Sequence, residues 1–205
     1  NYISIIGVLI GVTTLIIVIG VMNGFDDYLQ SKIIGVTSHI SVTDNSGKYI
    51  ENYESVIAEL KKIDGVEDAS PTFADNVLLR TEYGTLAAGI KGVMPERDRN
   101  ITKIYSSLID GRENYKSTGT GVFIGVYLAR RLGLKKSDYI TVIPAQITYS
   151  AFGIMPGVKN LEILGIFKTG MFEYDNSFVY APLAVTQNLF KRPNAATNIE
   201  IKLKD

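Results

Sequence analysis

Apolar residues run from Ile3 to Met22 as ISIIGVLIGVTTLIIVIGVM, with Ser4, Thr13 and Thr14 the polar members and no charge before Asp26. At ~1.5 Å rise per residue, roughly 20 such positions cover the ~30 Å hydrocarbon core of a bilayer, so the pattern predicts a transmembrane helix. The three hydroxyls can bond back to carbonyls of the preceding turn and do not spoil the span. A secretory signal peptide would have an apolar core of about 7–15 residues and a small-residue cleavage site, and Val21-Met22-Asn23-Gly24-Phe25 offers none. Gly7 and Gly11, and again Gly20 and Gly24, form pairs four residues apart. Such pairs let helices approach closely, although Gly is also common in membrane helices, and both readings stay open. Phe25, Leu29, Ile33 and Ile34 keep a helical period, which carries the helix on to Gly35.

Beyond the helix the period changes. Residues 39–43 (HISVT) alternate and predict a strand, closed by a turn at 44–47. Val56, Ile57, Leu60 and Ile63 give 53–63 an amphipathic helix that stops at Asp64-Gly65. Residues 69–80 and 85–93 read as strands joined at Glu82-Tyr83-Gly84. Then come a strand passing into a short helix over 121–132, stopped at Gly133, and a strand over 139–143. Residues 146–149 and 159–167 read as a hairpin pair with the connection SAFGIMPG, followed by a strand at 178–181, a helix at 183–190 and a last strand at 198–203. Strands with helices on one layer predict an α+β domain, and the first and last strands flanking an insertion suggest two interleaved subdomains.

Composition narrows the chemistry. The chain has 205 residues, with 21 Lys+Arg against 21 Asp+Glu, so no net basic charge marks it for nucleic acid. Without Cys there are no disulfides or thiolate metal sites, and the single His39 excludes any site built of two imidazoles. His39 reads as a strand-edge or packing residue. Ser46-Gly47-Lys48-Tyr49 lacks the leading glycine and the hydroxyl of a P-loop, and Gly119, Gly121 and Gly125 miss dinucleotide-loop spacing by one residue. No G-x-S-x-G elbow is present. The acidic neighbours Asp26/Asp27, Glu67/Asp68 and Glu173/Asp175 read as solvated surface. The sequence thus predicts no catalytic residue, metal or cofactor. The connection at 151–157 stands out because Phe152, Ile154 and Met155 put three large apolar groups at a hairpin tip, where they must pack inward or meet a membrane or partner.

Several stretches resemble one family. The segment from Ile3-Ser4-Ile5-Ile6-Gly7 to Met22-Asn23-Gly24-Phe25 is similar to the first transmembrane helix of the lipoprotein-releasing permeases, members of the FtsX/MacB-type ABC transporter family. Gly89-Ile90-Lys91-Gly92-Val93 resembles the family's strand before its inserted subdomain. Residues 124–134 resemble its strand–helix step. Gly165-Ile166-Phe167, Gly170-Met171-Phe172-Glu173-Tyr174-Asp175 and Pro182-Leu183 resemble its late segment.

The resemblance implies a non-catalytic permease subunit of the bacterial inner membrane. Its transmembrane helix would occupy 1–35, followed by a MacB-like domain facing the periplasm. That domain would divide into a Porter-like part (36–93 and 169–205) and an inserted Sabre-like part (94–168). The implied partners are a separate cytoplasmic ABC ATPase, a second permease subunit (a copy or a paralogue), a periplasmic lipoprotein carrier and the lipoprotein cargo. In one permease type of the family a protruding hook hairpin grips the carrier, and 146–161 occupies the matching place, with Phe152, Gly153, Ile154, Met155 and Pro156 as the binding loop. Ile154 stands where that pattern has a basic residue, which implies a more hydrophobic grip or a carrier of different surface. The resemblance also makes the chain an excerpt of a longer permease, since it does not start with Met. A MacB-like mechanotransmission permease of an efflux system and an FtsX-type regulator of a murein hydrolase are the alternatives. The first would be favoured by a fused ATPase, and the second is disfavoured by the size of the insertion. The Asp26-Asp27 flank lacks the Lys/Arg cluster of a cytoplasmic side, which also favours export of the domain.

Overall fold

The computed structural model describes residues 2–36, 38–45, 49–145, 149–150, 153–154 and 157–204. The chain divides into two units, Asn1–Gly35 and Val36–Asp205.

The first unit is the helix α1 (Tyr2–Val36), 35 residues long. Its portion Tyr2–Asp26, with a mean hydropathy of 2.8, is long and apolar enough to cross a membrane. Ile, Val and Leu are exposed on every face of it, as suits a helix solvated by lipid rather than one with a single buried stripe. Thr14 Oγ1 donates to the Ile10 carbonyl at 2.8 Å, which disposes of one hydroxyl in the way the sequence suggested.

The second unit is a mixed α/β domain. In chain order it comprises β1 (Ile40–Thr43), β2 (Ile50–Glu51), α2 (Tyr53–Leu60), β3 (Val66–Thr81), β4 (Gly84–Val93), α3 (Pro95–Ile101), α4 (Ile104–Ser107) and β5 (Leu108–Asp110). After a 3-10 turn (Arg112–Asn114) follow β6 (Val122–Gly125), α5 (Val126–Arg131), β7 (Tyr139–Pro144), β8 (Tyr149–Ser150), β9 (Gly153–Ile154) and β10 (Lys159–Phe167). The chain ends with α6 (Phe172–Ser177), β11 (Phe178–Pro182), α7 (Leu183–Leu189), β12 (Ala195–Ala196) and β13 (Asn198–Leu203).

The main sheet runs β1–β13–β3–β4–β11–β6–β10–β5, and β7 pairs with both β10 and β3. That double pairing closes a ring of six strands, β3–β4–β11–β6–β10–β7. Pairing is parallel between β4 and β11 and between β6 and β10, and antiparallel elsewhere in the ring. Each strand gives the enclosed core two residues of one parity: Val77 and Leu79, Ala88 and Ile90, Val179 and Ala181, Val122 and Ile124, Leu161 and Ile163, Ile140 and Val142. Alternation along a strand makes this possible, and small barrels are filled by side chains in this way. Each buried Val, Leu or Ile stabilises the fold by roughly 1.5–3 kcal/mol. Leu128, Ala129 and Leu132 of the α5 region and Leu189 of α7 complete the core. Because β6 and β11 are antiparallel, the helices that follow them plug opposite ends. The α7 plug is tight: a Cβ on Gly92 would lie 1.9 Å from Thr186 Oγ1.

The pairing corrects one expectation. Residues 159–162 of β10 pair with 139–142 of β7, rather than with 146–149. The β7–β10 pairing is non-local, and the alternation of neither strand identifies its partner. Residues 146–148 lie outside the described residues. The amphipathic helix is also shorter than read: α2 ends at Leu60, and Ile63 beyond it is 56% exposed.

The 16-residue β3 serves two cores. Its second half is a barrel strand, while its first half pairs with β13, where Ile57 of α2 packs with Ala69, Ile199 and Ile201. The outer wall of the barrel carries a third core of Val93, Phe123, Phe167 and Tyr180 with Ile104, Leu108 and Tyr115. A polar seam lies on the same side. Lys91 Nζ meets Glu200 Oε1 at 2.6 Å, and buried Asp98 of α3 accepts hydrogen bonds from the Tyr115 and Thr102 hydroxyls. Burial works to lower the Lys91 pKa, but the Tyr180 and Glu200 oxygens outweigh it and raise it. Burial raises the Asp98 pKa, with Glu200 adding to it, against the Tyr115 hydrogen bond, the Lys91 charge and the Thr102 hydrogen bond.

Two predictions follow from this seam. Lys91→Met leaves buried carboxylates without their cation and should cost about 3–5 kcal/mol in urea unfolding, most of it recovered in Lys91→Met/Glu200→Met. Equal losses in the single and double variants would show that the ion pair is not the cause. A folded-state pKa above the ordinary 3.8 makes the Asp98 contribution present below about pH 4 and lost as pH rises through the folded value. Asp98→Asn cannot ionise, so over that window it should gain stability relative to the unmodified chain. Parallel pH profiles would assign the titration elsewhere.

Candidate functional site

The sequence singles out the segment between β7 and β10, and the fold explains how it is held. Both flanking strands are barrel strands, with Val142 opposite Lys159 as the last pair before the segment departs. On the β7 side, Val77 lies opposite Pro144, and the Ala145 N–H donates to the Asn76 carbonyl at 3.0 Å. On the β10 side Gly157 packs against α7: a Cβ there would come 2.7 Å from the Leu189 carbonyl oxygen and 3.9 Å from Pro144 Cγ. The root is therefore fixed from both sides at the α7 end of the barrel.

From that root the chain forms its own two-stranded sheet. Tyr149 pairs with Ile154 and Ser150 with Gly153, so β8 and β9 make a tight antiparallel hairpin. Of the candidate binding residues, Gly153 and Ile154 lie in β9, whereas Phe152, Met155 and Pro156 lie outside the described residues. Beside the root opens a groove of about 340 Å³, lined by Lys159 and Leu161 of β10, by residues 117–120 and by Ala184, Val185 and Asn188 of α7. Sequence reading missed this groove, because its walls come from segments far apart in the chain. Near the root, burial raises the Asp75 carboxyl pKa, opposed by the Asn76 N–H that it accepts at 2.7 Å.

The other sequence candidates are placed as follows. Gly7, Gly11, Gly20 and Gly24 all lie in α1, and a Cβ at any of them would meet open space. At ~100° per residue each pair shares a face, and the two pairs look to different sides of the helix. His39 precedes β1, and its Nδ1 accepts the Leu203 N–H at 3.2 Å, a strand-edge role. Asp68 and Glu67 pair with Lys61 and Lys202. Asp175 departs from a solvated reading, since it is buried and accepts the Thr169 and Gly170 N–H groups that shape the turn before α6. Among the described residues no group of His, Asp and Glu could hold a metal ion.

A membrane-length apolar helix is followed in the chain by this mixed α/β domain, and the chain belongs to the MacB-like periplasmic core domain family, whose model matches residues 2–205. It is 26% identical, over 99% of its length, to the lipoprotein-releasing system transmembrane protein LolC of Neisseria meningitidis serogroup B. It is 25% identical, over 98% of its length, to the lipoprotein-releasing system transmembrane protein LolE of Haemophilus influenzae. The chain covers 49% of each of these relatives, about half their length. In fold it is similar to the extracellular domain of the noncanonic ABC-type transporter YknZ from Gram-positive bacteria. The TM-score is 0.55 at 17% identity, covering 84% of this chain and 82% of that one.

The root geometry yields a prediction. Gly157→Val forces the chain away from the Leu189 carbonyl and should cost about 1–3 kcal/mol, as over-packing typically does. The thermal midpoint of the variant should fall accordingly. An unchanged midpoint would mean that the root is not packed on α7.

Proposed function

We propose that this chain is the first membrane helix and periplasmic domain of an ABC-transporter permease that releases lipoproteins from the inner membrane to a soluble periplasmic carrier. The observation that carries this reading is similarity along almost the whole chain to proteins named as LolC and LolE of lipoprotein-releasing systems. In this reading the domain performs no chemistry. ATP is hydrolysed by a separate cytoplasmic subunit, and a second permease subunit, a copy or a paralogue, completes the assembly. The glycine pairs of α1 seat neighbouring helices, and the Porter-like and Sabre-like division falls at 93/94 and 168/169.

Carrier binding is assigned to Phe152, Gly153, Ile154, Met155 and Pro156. Phe and Met supply a large, adaptable apolar area of the kind enriched at protein interfaces. With Ile154 in place of a basic residue, the grip is hydrophobic and only weakly sensitive to salt, since screening acts on charges.

Titrating the chain in neutral detergent micelles with a purified periplasmic lipoprotein carrier tests the reading. Roughly micromolar binding, about tenfold or more weaker in Phe152→Ala and Met155→Asp, is the expected result. Binding unchanged in both variants would remove the loop from the mechanism. Absence of any binding would overturn the carrier reading and favour the efflux-type permease.

A further inference from the structure

We infer that the surface centred on Tyr105 is a second protein-docking site, one that recognises an acidic, Asp/Glu-bearing face of a partner. The Arg99 guanidinium carbon lies 4.1 Å from the Tyr105 ring centroid and that of Arg112 lies 5.6 Å from it. Both guanidiniums are held by backbone carbonyls: Arg99 donates to Tyr115 O at 2.8 Å, and Arg112 to Leu108 O at 3.0 Å and Ser106 O at 3.3 Å. Lys103 and Lys116 stand exposed beside them in sequence. Among the described residues none of these four cations forms an ion pair.

The neighbouring acids offset them only in part. Asp98 is buried beneath Tyr115, and Asp110 and Glu113 are both taken by Lys136. Glu96, near Arg99, is engaged by the Ser117 N–H and hydroxyl. With buried Asp98 set aside, Arg99, Lys103, Arg112 and Lys116 stand against Glu96 and the one surplus carboxylate of the Asp110–Lys136–Glu113 cluster, which leaves an excess of two positive charges, in a chain of zero formal charge, that an anionic partner relieves.

The composition favours a protein over a lipid surface. Guanidiniums already fixed by carbonyls keep further N–H groups for carboxylates and lose little freedom on binding. A half-buried Tyr flanked by two Arg, with Ile109 60% exposed on the adjoining strand, matches the residue types that anchor protein interfaces. A bilayer is read more simply by mobile lysines near its surface. This surface is separate from the hairpin. Leu108 pairs with Phe167 and the Lys168 N–H donates to Ser107 O, at the far end of β10 from Lys159, about 26 Å along the strand.

The test uses the chain in neutral detergent micelles and fluorescent poly-L-glutamate as the acidic probe, read by anisotropy at low and at 300 mM salt. Arg99→Gln/Arg112→Gln should weaken binding about tenfold or more, while Lys62→Gln/Lys135→Gln, which removes the same charge elsewhere, changes it less than about twofold. Arg99→Lys/Arg112→Lys, which keeps charge but loses the fork and the stack, should fall between, and it decides the matter if the Gln pair fails to fold. No binding, or equal weakening in the Gln pair and the control pair, overturns the proposal. Phosphatidylglycerol vesicles form a second arm: their release by the Gln pair with poly-L-glutamate binding unchanged would overturn it in favour of a membrane-facing role.

Discussion

The domain depends on one closure, the pairing of β7 with β10 on one side and β3 on the other. Without it the six strands would be an open sheet with two exposed edges, a template for unwanted pairing. With it, the pleat directs two residues from every strand into one dry interior, and the helices at the two ends need only supply plugs. The closure also decides where other features can lie. The hairpin can leave only at a barrel rim, the outer wall is free to build a separate aromatic core, and β3 is long enough to carry a further layer with β13 and α2. Strands on both sides of the proposed 94–168 boundary are members of the same ring.

Charge is handled in two contrasting ways on the outer wall. Lys91, Glu200 and Asp98 are withdrawn from water and satisfied by one another and by hydroxyls, so they specify how α3 seats on the sheet. A few residues away, Arg99 and Arg112 are oriented by carbonyls but left without carboxylates. Desolvated charge is expensive unless paired, so a buried seam reads as architecture. Ordered charge left in solvent can still offer affinity to a partner, so an exposed patch reads as recognition.

Sequence alone made α1, β3, β4, β11 and β13 legible, because each carries its periodicity within its own span. It did not give the β7–β10 register, since a strand's alternation identifies a face and not a neighbour. It missed α3, whose Pro95 start is a usable helix signal but whose run of PERDRNI looks like a charged loop. Nothing in its Gly-rich strand marks Lys91 as internal, and its partner Glu200 comes from 109 residues away. The Tyr105 surface was hidden because its cations are spread over residues 99–116 among acids that the fold then occupies or buries. The Phe152–Met155 loop was visible for the opposite reason: local sequence departs from what a solvent-exposed tip can bear.

The anchoring of the hairpin has a consequence for how such proteins diversify. Its two ends are fixed by hydrogen bonds and packing that belong to the barrel, at Ala145 and Gly157. Lengthening a loop whose ends are already held costs little, since closure entropy grows only logarithmically with length. The tip is thus a place where insertions, deletions and wholesale replacement are tolerated while the scaffold folds unchanged. The same economy makes the stretch between Ala145 and Gly157 a natural graft site, where the barrel can carry a foreign segment without altering its own strand pairing.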